Sequence, residues 1–253
     1  MSGRVESLWR YPVKGFTPER LDAVELVPGR GFPFDRVFAV EDGPSGFDPA
    51  SPAHVSKMRF TVLAKIPKVA RARTRFDDVA GELAIETDEG VFTANLRDEA
   101  GRASFARWLK DFLGEEASGE LKVLPAPGAH RFYDDPRGHV SIINLASVRD
   151  LAERIRRPVD PLRFRANVHI EGWPPWIECD AAGAHLRLGA AQARVIAPIR
   201  RCVATHVDPD RGVRDLDMLE ALRSLYGHVF CGAYVEIIEG GPVRPQEGAE
   251  LRV

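Results

Sequence analysis

Residues 4–13, RVESLWRYPV, decide the fold class. Apolar and polar residues interleave over this stretch, and a turn at Gly15, Thr17 and Pro18 ends it. LDAVELV follows at residues 21–27, then Pro28-Gly29, then RVFAV at residues 36–40. Short β-branched runs between Gly/Pro punctuation are the signature of hairpins and meanders, so the chain opens as β-structure.

Moving outward, residues 42–53, DGPSGFDPASPA, have the composition of a surface loop. Residues 81–96, GELAIETDEGVFTANL, read as a hairpin turning at Asp88–Gly90. Three segments change period. Phe105, Trp108, Leu109 and Phe112 form a helical face ending at Gly114. Leu145, Val148, Leu151 and Ile155 mark a second helix, stopped by Pro158. Leu216, Leu219 and Leu222 mark a third, with Asp215 as the expected N-cap and Gly227 past its end. Residues 163–212 are again strand-like, as are GAYVEIIEGG at 232–241 and AELRV at 249–253. The order predicts an α+β chain that is mainly β, with a barrel-like C-terminal half and a few peripheral helices.

Composition narrows the function classes. Hydrophobic residues make up 44% and charged residues 28%, ordinary for a globular domain, and the formal net charge is -2. That balance gives no overall basic field for nucleic acid or an anionic membrane surface. No apolar run approaches the roughly 18–20 residues of a membrane helix. The first residues enter a strand pattern without a signal-peptide stretch, so the expected location is cytoplasmic, with no membrane partner. The three cysteines, Cys179, Cys202 and Cys231, match neither a disulfide framework nor a zinc site. They cannot supply the four thiolates of an ordinary iron–sulfur cluster, so redox chemistry here would need electrons from another chain.

Residues 200–212, RRCVATHVDPDRG, hold the candidate reactive group. Taken alone, Cys202 is read as a small core residue. Arg200 and Arg201 shift that reading, because neighbouring positive charge favours a thiolate. The DPDRG turn that follows puts Cys202 near a strand end, where sites are built. His206 as a partner base is disfavoured, since four residues of strand span roughly 13 Å. RFRAN at 163–167 places Arg163 and Arg165 on one strand face, either as a solvated edge or as an anion-binding pair. Lys14 in YPVKG and Arg36 in GFPFDR would join Arg165 and Arg201 in one electropositive pocket, suited to an anionic cofactor rather than a polymer. Trp173 and Trp176, in GWPPWIE, form a Pro-stiffened loop that is either a lid or a packing element. Phosphate-loop, dinucleotide, zinc-protease and serine-hydrolase signatures are absent from the sequence.

Five segments in order resemble the MOSC proteins, in the subgroup carrying an additional N-terminal β-rich domain, as in the mitochondrial amidoxime-reducing component. They are YPVKG, GFPFDR, RFRAN, RRCVATHVDPDRG and LYGHVFCGAYVEIIEGG at 225–241. The resemblance implies an N-terminal β-rich domain over residues 1–120 and a MOSC β-barrel domain over 121–253. It implies molybdenum cofactor, a molybdopterin holding Mo, with Cys202 as the metal-bound thiolate and catalytic centre. Lys14 and Arg36 would hold the pterin phosphate, and Arg165, Asn167 and Arg201 would contact the cofactor or shape its pocket. Asn144 and Ser147, at the start of the second helix, would offer further donors to the same anion. Pyridoxal phosphate binding attaches to the domain only as a class-level association.

The activity implied is reduction of N-hydroxylated or N-/S-oxide small molecules. A separate donor would bring the electrons, ferredoxin-like or cytochrome b5-like with its reductase, since no ferredoxin-like extension follows. A non-catalytic carrier of molybdenum cofactor or of persulfide sulfur is the alternative. Two positions depart from the family pattern: Gly15 stands where the family has Ser, and Ala166 where it has Pro.

Overall fold

The computed structural model describes residues 1–135 and 140–252. The opening strand β1 (Ser2–Arg10) sends Val5 and Leu8 into the interior. It pairs antiparallel with β2 (Glu19–Leu21) on one side. It also pairs with β10 (Val168–Glu171) and β15 (Gly248–Arg252). The eight-stranded sheet runs β10, β9 (Val140–Asn144), β13 (Phe230–Glu239), β12 (Ala191–Arg200), β11 (His185–Leu188), β15, β1, β2. Because β10 also meets β1, seven of these strands close into a barrel and β2 rides on its flank. Closure removes the unpaired edges an open sheet would present. Val5, Leu8, Ile142, Val168, Ile170, Leu186, Val195, Val235 and Leu251 fill the interior.

The remaining N-terminal elements build a second core. β4 (Phe38–Asp42) pairs with β8 (Leu121–Pro125). β5 (Arg73–Asp77), β6 (Glu82–Thr87) and β7 (Gly90–Asn95) make a three-stranded meander, with the expected hairpin at 81–96. Helix α1 (Glu99–Leu113) packs Phe105 and Leu109 onto it; it ends at Gly114, as the sequence predicts, and Asp98 caps its start. The last sheet is a two-stranded ribbon of β3 (Val24–Leu26) with β14 (Gly241–Val243).

Helix α2 (Leu145–Ile155) ends at Arg156, whose left-handed backbone stops it just before Pro158. Helix α4 (Met218–Tyr226) starts at Asp217, not at Asp215: the Asp217 side chain accepts the Glu220 amide, while Asp215 is drawn off to Arg163. Residues 163–212 are less regular than expected. They hold a 3-10 turn at Pro161–Phe164, β10, the short helix α3 (Ile177–Asp180), β11, β12 and a 3-10 turn at Val203–His206.

Candidate functional site

The anion-binding end of the site is built on Tyr11, which follows β1 and is fully buried. The Arg36 and Arg165 guanidinium carbons lie 4.7 and 4.4 Å from the centre of its ring, one reaching it from each half of the chain. Both arginines occupy left-handed backbone, at φ 51° and 52°, an uncommon conformation that a surrounding structure must enforce. Arg36 pairs with the buried Asp35 carboxylate, which also accepts the Tyr11 amide at 2.8 Å. Its other nitrogen donates to the Arg165 carbonyl at 3.2 Å. Arg165 donates through Nη1 to the Phe16 carbonyl at 2.7 Å, and its Nη2 is buried without a protein partner. Burial and the nearby Arg36 charge push the Arg165 guanidinium down to about 10. A cation destabilised by burial and by like charge is suited to an anion.

Arg201 makes the next wall. Nε donates to the Cys231 carbonyl and Nη1 to the Phe164 carbonyl, both at 2.7 Å. Its Nη2 is likewise buried and unpartnered. The side chain passes over Gly232, where a Cβ would stand 2.5 Å from the Ile142 carbonyl and 2.8 Å from Arg201 Nη2. Asn167 fixes the seam between β9 and β1. Its Oδ1 accepts the Ser141 hydroxyl at 2.7 Å and its Nδ2 donates to the Trp9 carbonyl at 3.2 Å.

Cys202 lies two residues past the end of β12, near a strand end as the turn after it implies, and caps the start of the 3-10 turn at 203–206. Its sulfur accepts from Lys57 Nζ at 3.3 Å. Lys57 also reaches Asp134 at 3.1 Å, and the same carboxylate takes Lys14 at 2.5 Å. Burial opposes ionisation of Asp134, but the two ammonium groups outweigh it and hold the carboxyl far below its usual range. Burial lowers the Lys14 ammonium, and Asp134 only partly offsets that. For Lys57 burial also works downward, yet Asp134 and the Cys202 sulfur prevail and raise it. One carboxylate thus bridges two cations and connects residues 14, 57 and 134 to the thiol. The sequence reading missed Lys57 and Asp134, which sit in irregular segments without a motif.

These groups line one cavity of about 700 Å³. Lys14, Arg36, Arg165, Asn167, Arg201 and Cys202 all reach it, together with Lys57, Tyr133, Asp134 and Tyr234. That size falls within the roughly 300–1,000 Å³ of small-molecule and cofactor sites.

Several expectations need correction. Asn144 and Ser147 are not on the cavity wall and are completely buried. Asn144 caps α2 and donates to the Pro174 carbonyl at 2.7 Å; Ser147 donates to Glu178 at 3.0 Å and accepts the Trp176 amide at 2.7 Å. Their polar groups are committed to holding α3, not to an external anion. Arg163 and Arg165 do not share a strand face. Asp160 caps the 3-10 turn and Pro161 starts it, so the two side chains diverge, Arg163 toward Asp208 and Asp215. His206 lies on a turn rather than a strand, and its Nε2 faces Asp217 at 3.3 Å and the Leu219 amide. Trp173 is packing: it is buried and donates to the Ala249 carbonyl at 3.1 Å. Trp176 is half-buried against Tyr226 and starts α3.

The residues present suit molybdenum cofactor. Arg165 and Arg201, each with one buried guanidinium nitrogen that has no protein partner, line one cavity with lysines and a single soft sulfur, a set that could receive an anion and offer one ligand to a metal. No group of three or more His, Cys, Asp or Glu that could hold a metal by itself occurs among the described residues.

Comparison with known proteins gives the same direction. The MOSC N-terminal beta barrel domain matches residues 2–116 and the MOSC domain residues 129–250. A molybdenum cofactor sulfurase of Caenorhabditis briggsae is 26% identical over 230 residues, 87% of this chain and 31% of that protein. The chain thus spans about a third of that relative's length. The mitochondrial amidoxime reducing component 2 of Bos taurus is 26% identical over 254 residues, 90% of this chain and 73% of that protein. Among solved structures, the YUAD protein from Bacillus subtilis aligns over 99% of this chain and 96% of its own at 12% identity, with a TM-score of 0.44. With both domain matches in sequence order along one chain, the protein belongs to the MOSC family, in the group that carries the MOSC N-terminal beta barrel domain.

Proposed function

We propose that this chain binds molybdenum cofactor in the 700 Å³ cavity and, with Cys202 ligating the metal, reduces N-hydroxylated or N-/S-oxide small molecules. The observation that carries the reading is the Cys202 sulfur on the same cavity wall as the unsatisfied Arg165 and Arg201 nitrogens. Lys14, Arg36, Arg165 and Arg201 would hold the cofactor's anionic groups, each from a backbone already fixed by the contacts above. Bound there, the cofactor would supply two-electron oxygen-atom transfer. Lys57 would hold a proton and a positive charge beside the ligating sulfur. Reduction of an N–O or S–O bond with loss of water takes two electrons and two protons. Three thiols are too few for the four of an ordinary iron–sulfur cluster, so in this reading the electrons come from a separate donor protein, ferredoxin-like or cytochrome b5-like with its reductase.

The competing reading is a carrier of the cofactor or of sulfur, suggested by the molybdenum cofactor sulfurase relatives. Metal analysis of protein from a molybdenum-replete host tests both. Stoichiometric molybdenum, lost in Cys202→Ala, is the expected result. Sulfane sulfur without molybdenum assigns the chain to sulfur transfer. An assay of amidoxime or hydroxylamine reduction with an artificial donor then separates enzyme from cofactor carrier. Fully metallated protein that reduces neither would sink the enzyme reading.

A further inference from the structure

We infer that Arg163 is a positioning residue for Cys202, clasping the loop that carries the thiol. The inference rests on reading Cys202 as the ligating sulfur. Arg163 is itself nearly sealed from solvent, with a side chain 3% exposed. Nη2 meets Asp215 at 2.8 Å and Asp208 at 3.5 Å, and Nη1 donates to the His206 carbonyl at 3.2 Å. One guanidinium therefore gathers three points of the loop between Cys202 and α4.

The loop has ties of its own, a bridge between Val207 and Arg214, the Asp208 amide on the Val213 carbonyl and Val207 buried in the second core, and Arg163 is what joins them to the 3-10 turn at 161–164. Thr205 donates both its amide and its hydroxyl to the Cys202 carbonyl, at 3.0 and 2.9 Å, so the cysteine moves with the turn at 203–206. Asp208 closes the next turn by accepting the Asp210 and Arg211 amides. Outside these turns, Arg214 donates to the Ala64 carbonyl at 2.8 Å across the cavity's rim. The clasp is reciprocal. Arg201, the residue before the cysteine, donates back to the carbonyl of Phe164, the residue after Arg163. Cys202 is thus held from both sides of the chain by the same 3-10 turn at 161–164. An arginine suits this task because its fork serves two carboxylates and a carbonyl at once, which an ammonium on a flexible stem does less well. Asp208 and Asp215 remain partly solvated, so releasing them need not unfold the protein.

The thiols themselves provide the test. In metal-free protein, Cys231 is fully buried and reports global opening, while Cys179, half-buried like Cys202 but carried by α3 away from the clasp, serves as the internal reference. Alkylation by iodoacetamide is followed at each cysteine by mass spectrometry in the wild type, Arg163→Met, Arg163→Lys and Asp215→Asn. The expected result is Cys202 modified about tenfold faster in Arg163→Met, because the freed loop presents the sulfur beyond the cavity wall. Asp215→Asn should move the same way, Arg163→Lys should return part of the way to wild type, Cys179 should keep its wild-type rate and Cys231 should stay unmodified. Cys202 reacting at or below the wild-type rate in Arg163→Met would overturn the inference. So would all three cysteines reacting together, since that marks a general structural role. The molybdenum content of the wild type is measured in parallel. Metal-free wild type with the clasp intact removes the functional reading and leaves the positioning role.

Discussion

Lys57 Nζ stands 3.3 Å from the Cys202 sulfur and shares Asp134 with Lys14. The contact leaves the sulfur, an ammonium and a carboxylate in one line of partners on the cavity wall. Lys57→Met should therefore lower the molybdenum content of the purified protein while leaving its thermal unfolding nearly unchanged, since Lys57 is partly exposed. Metal content equal to wild type would mean that the lysine does not help to hold the cofactor.

Gly15, where the family has Ser, is dictated by the local backbone. It sits at φ 88°, and a Cβ there would fall 2.5 Å from the Thr61 carbonyl and 2.8 Å from Val62 Cα. Gly15→Ser should lower stability by about 2 kcal/mol or more, from left-handed strain together with backbone overlap. The added hydroxyl should bring no gain in molybdenum content. Thermal unfolding and metal analysis of the variant check both halves, and a variant as stable as wild type would refute the steric account.

Gly232 plays the corresponding part beneath Arg201. Gly232→Ala places a methyl group against the Ile142 carbonyl and Arg201 Nη2, so the guanidinium has to leave its position. The expected outcome is retained secondary structure with reduced molybdenum content. Retention of full metal content would show that Arg201 Nη2 is dispensable.

His169, buried beside Trp9 with Nε2 unpartnered, gives a pH signature. Burial lowers its imidazole from 6.5 to about 3, so the native ring stays neutral while the unfolded ring takes up a proton below 6.5. Its contribution is whole above pH 6.5 and is lost as pH falls toward 3, at about 1.4 kcal/mol per pH unit. His169→Gln should make the acid-side decline in stability shallower by about one proton, measured by urea unfolding at pH 7 and pH 4.5. Parallel slopes would exclude a neutral buried imidazole.

Much of this architecture was readable from periodicity. Phe105, Trp108 and Leu109 mark α1, and the apolar patterns at 4–13, 232–241 and 249–253 mark β1, β13 and β15 of the barrel, whereas β9 at 140–144 carries no such signal. Cys202 beside Arg201 was legible because both lie within one segment. Lys57 and Asp134 were not, since their meaning arises only when residues 14, 57, 134 and 202 meet, and each alone is an ordinary charge. Asn144 and Ser147 were misjudged for the opposite reason. A helix N-terminus with an amide and a hydroxyl resembles an anion site, but Glu178 supplies an internal carboxylate for both. Arg163 was misplaced because Asp160-Pro161 starts a 3-10 turn within a stretch that otherwise reads as strand.

Strand β1 completes the barrel although it is made long before its neighbours, β10 at residues 168–171 and β15 at 248–252. During synthesis it can pair early only with β2, and its pairings with β10 and β15 must wait until nearly the whole chain has emerged, so the ring forms late and through long-range contacts. A fragment cut after residue 120 would leave β10 and β15 with bare edges facing each other's missing partner. Such a piece invites strand addition from neighbouring molecules, and supplying residues 1–120 as a separate polypeptide should rescue its solubility by sealing the ring in trans.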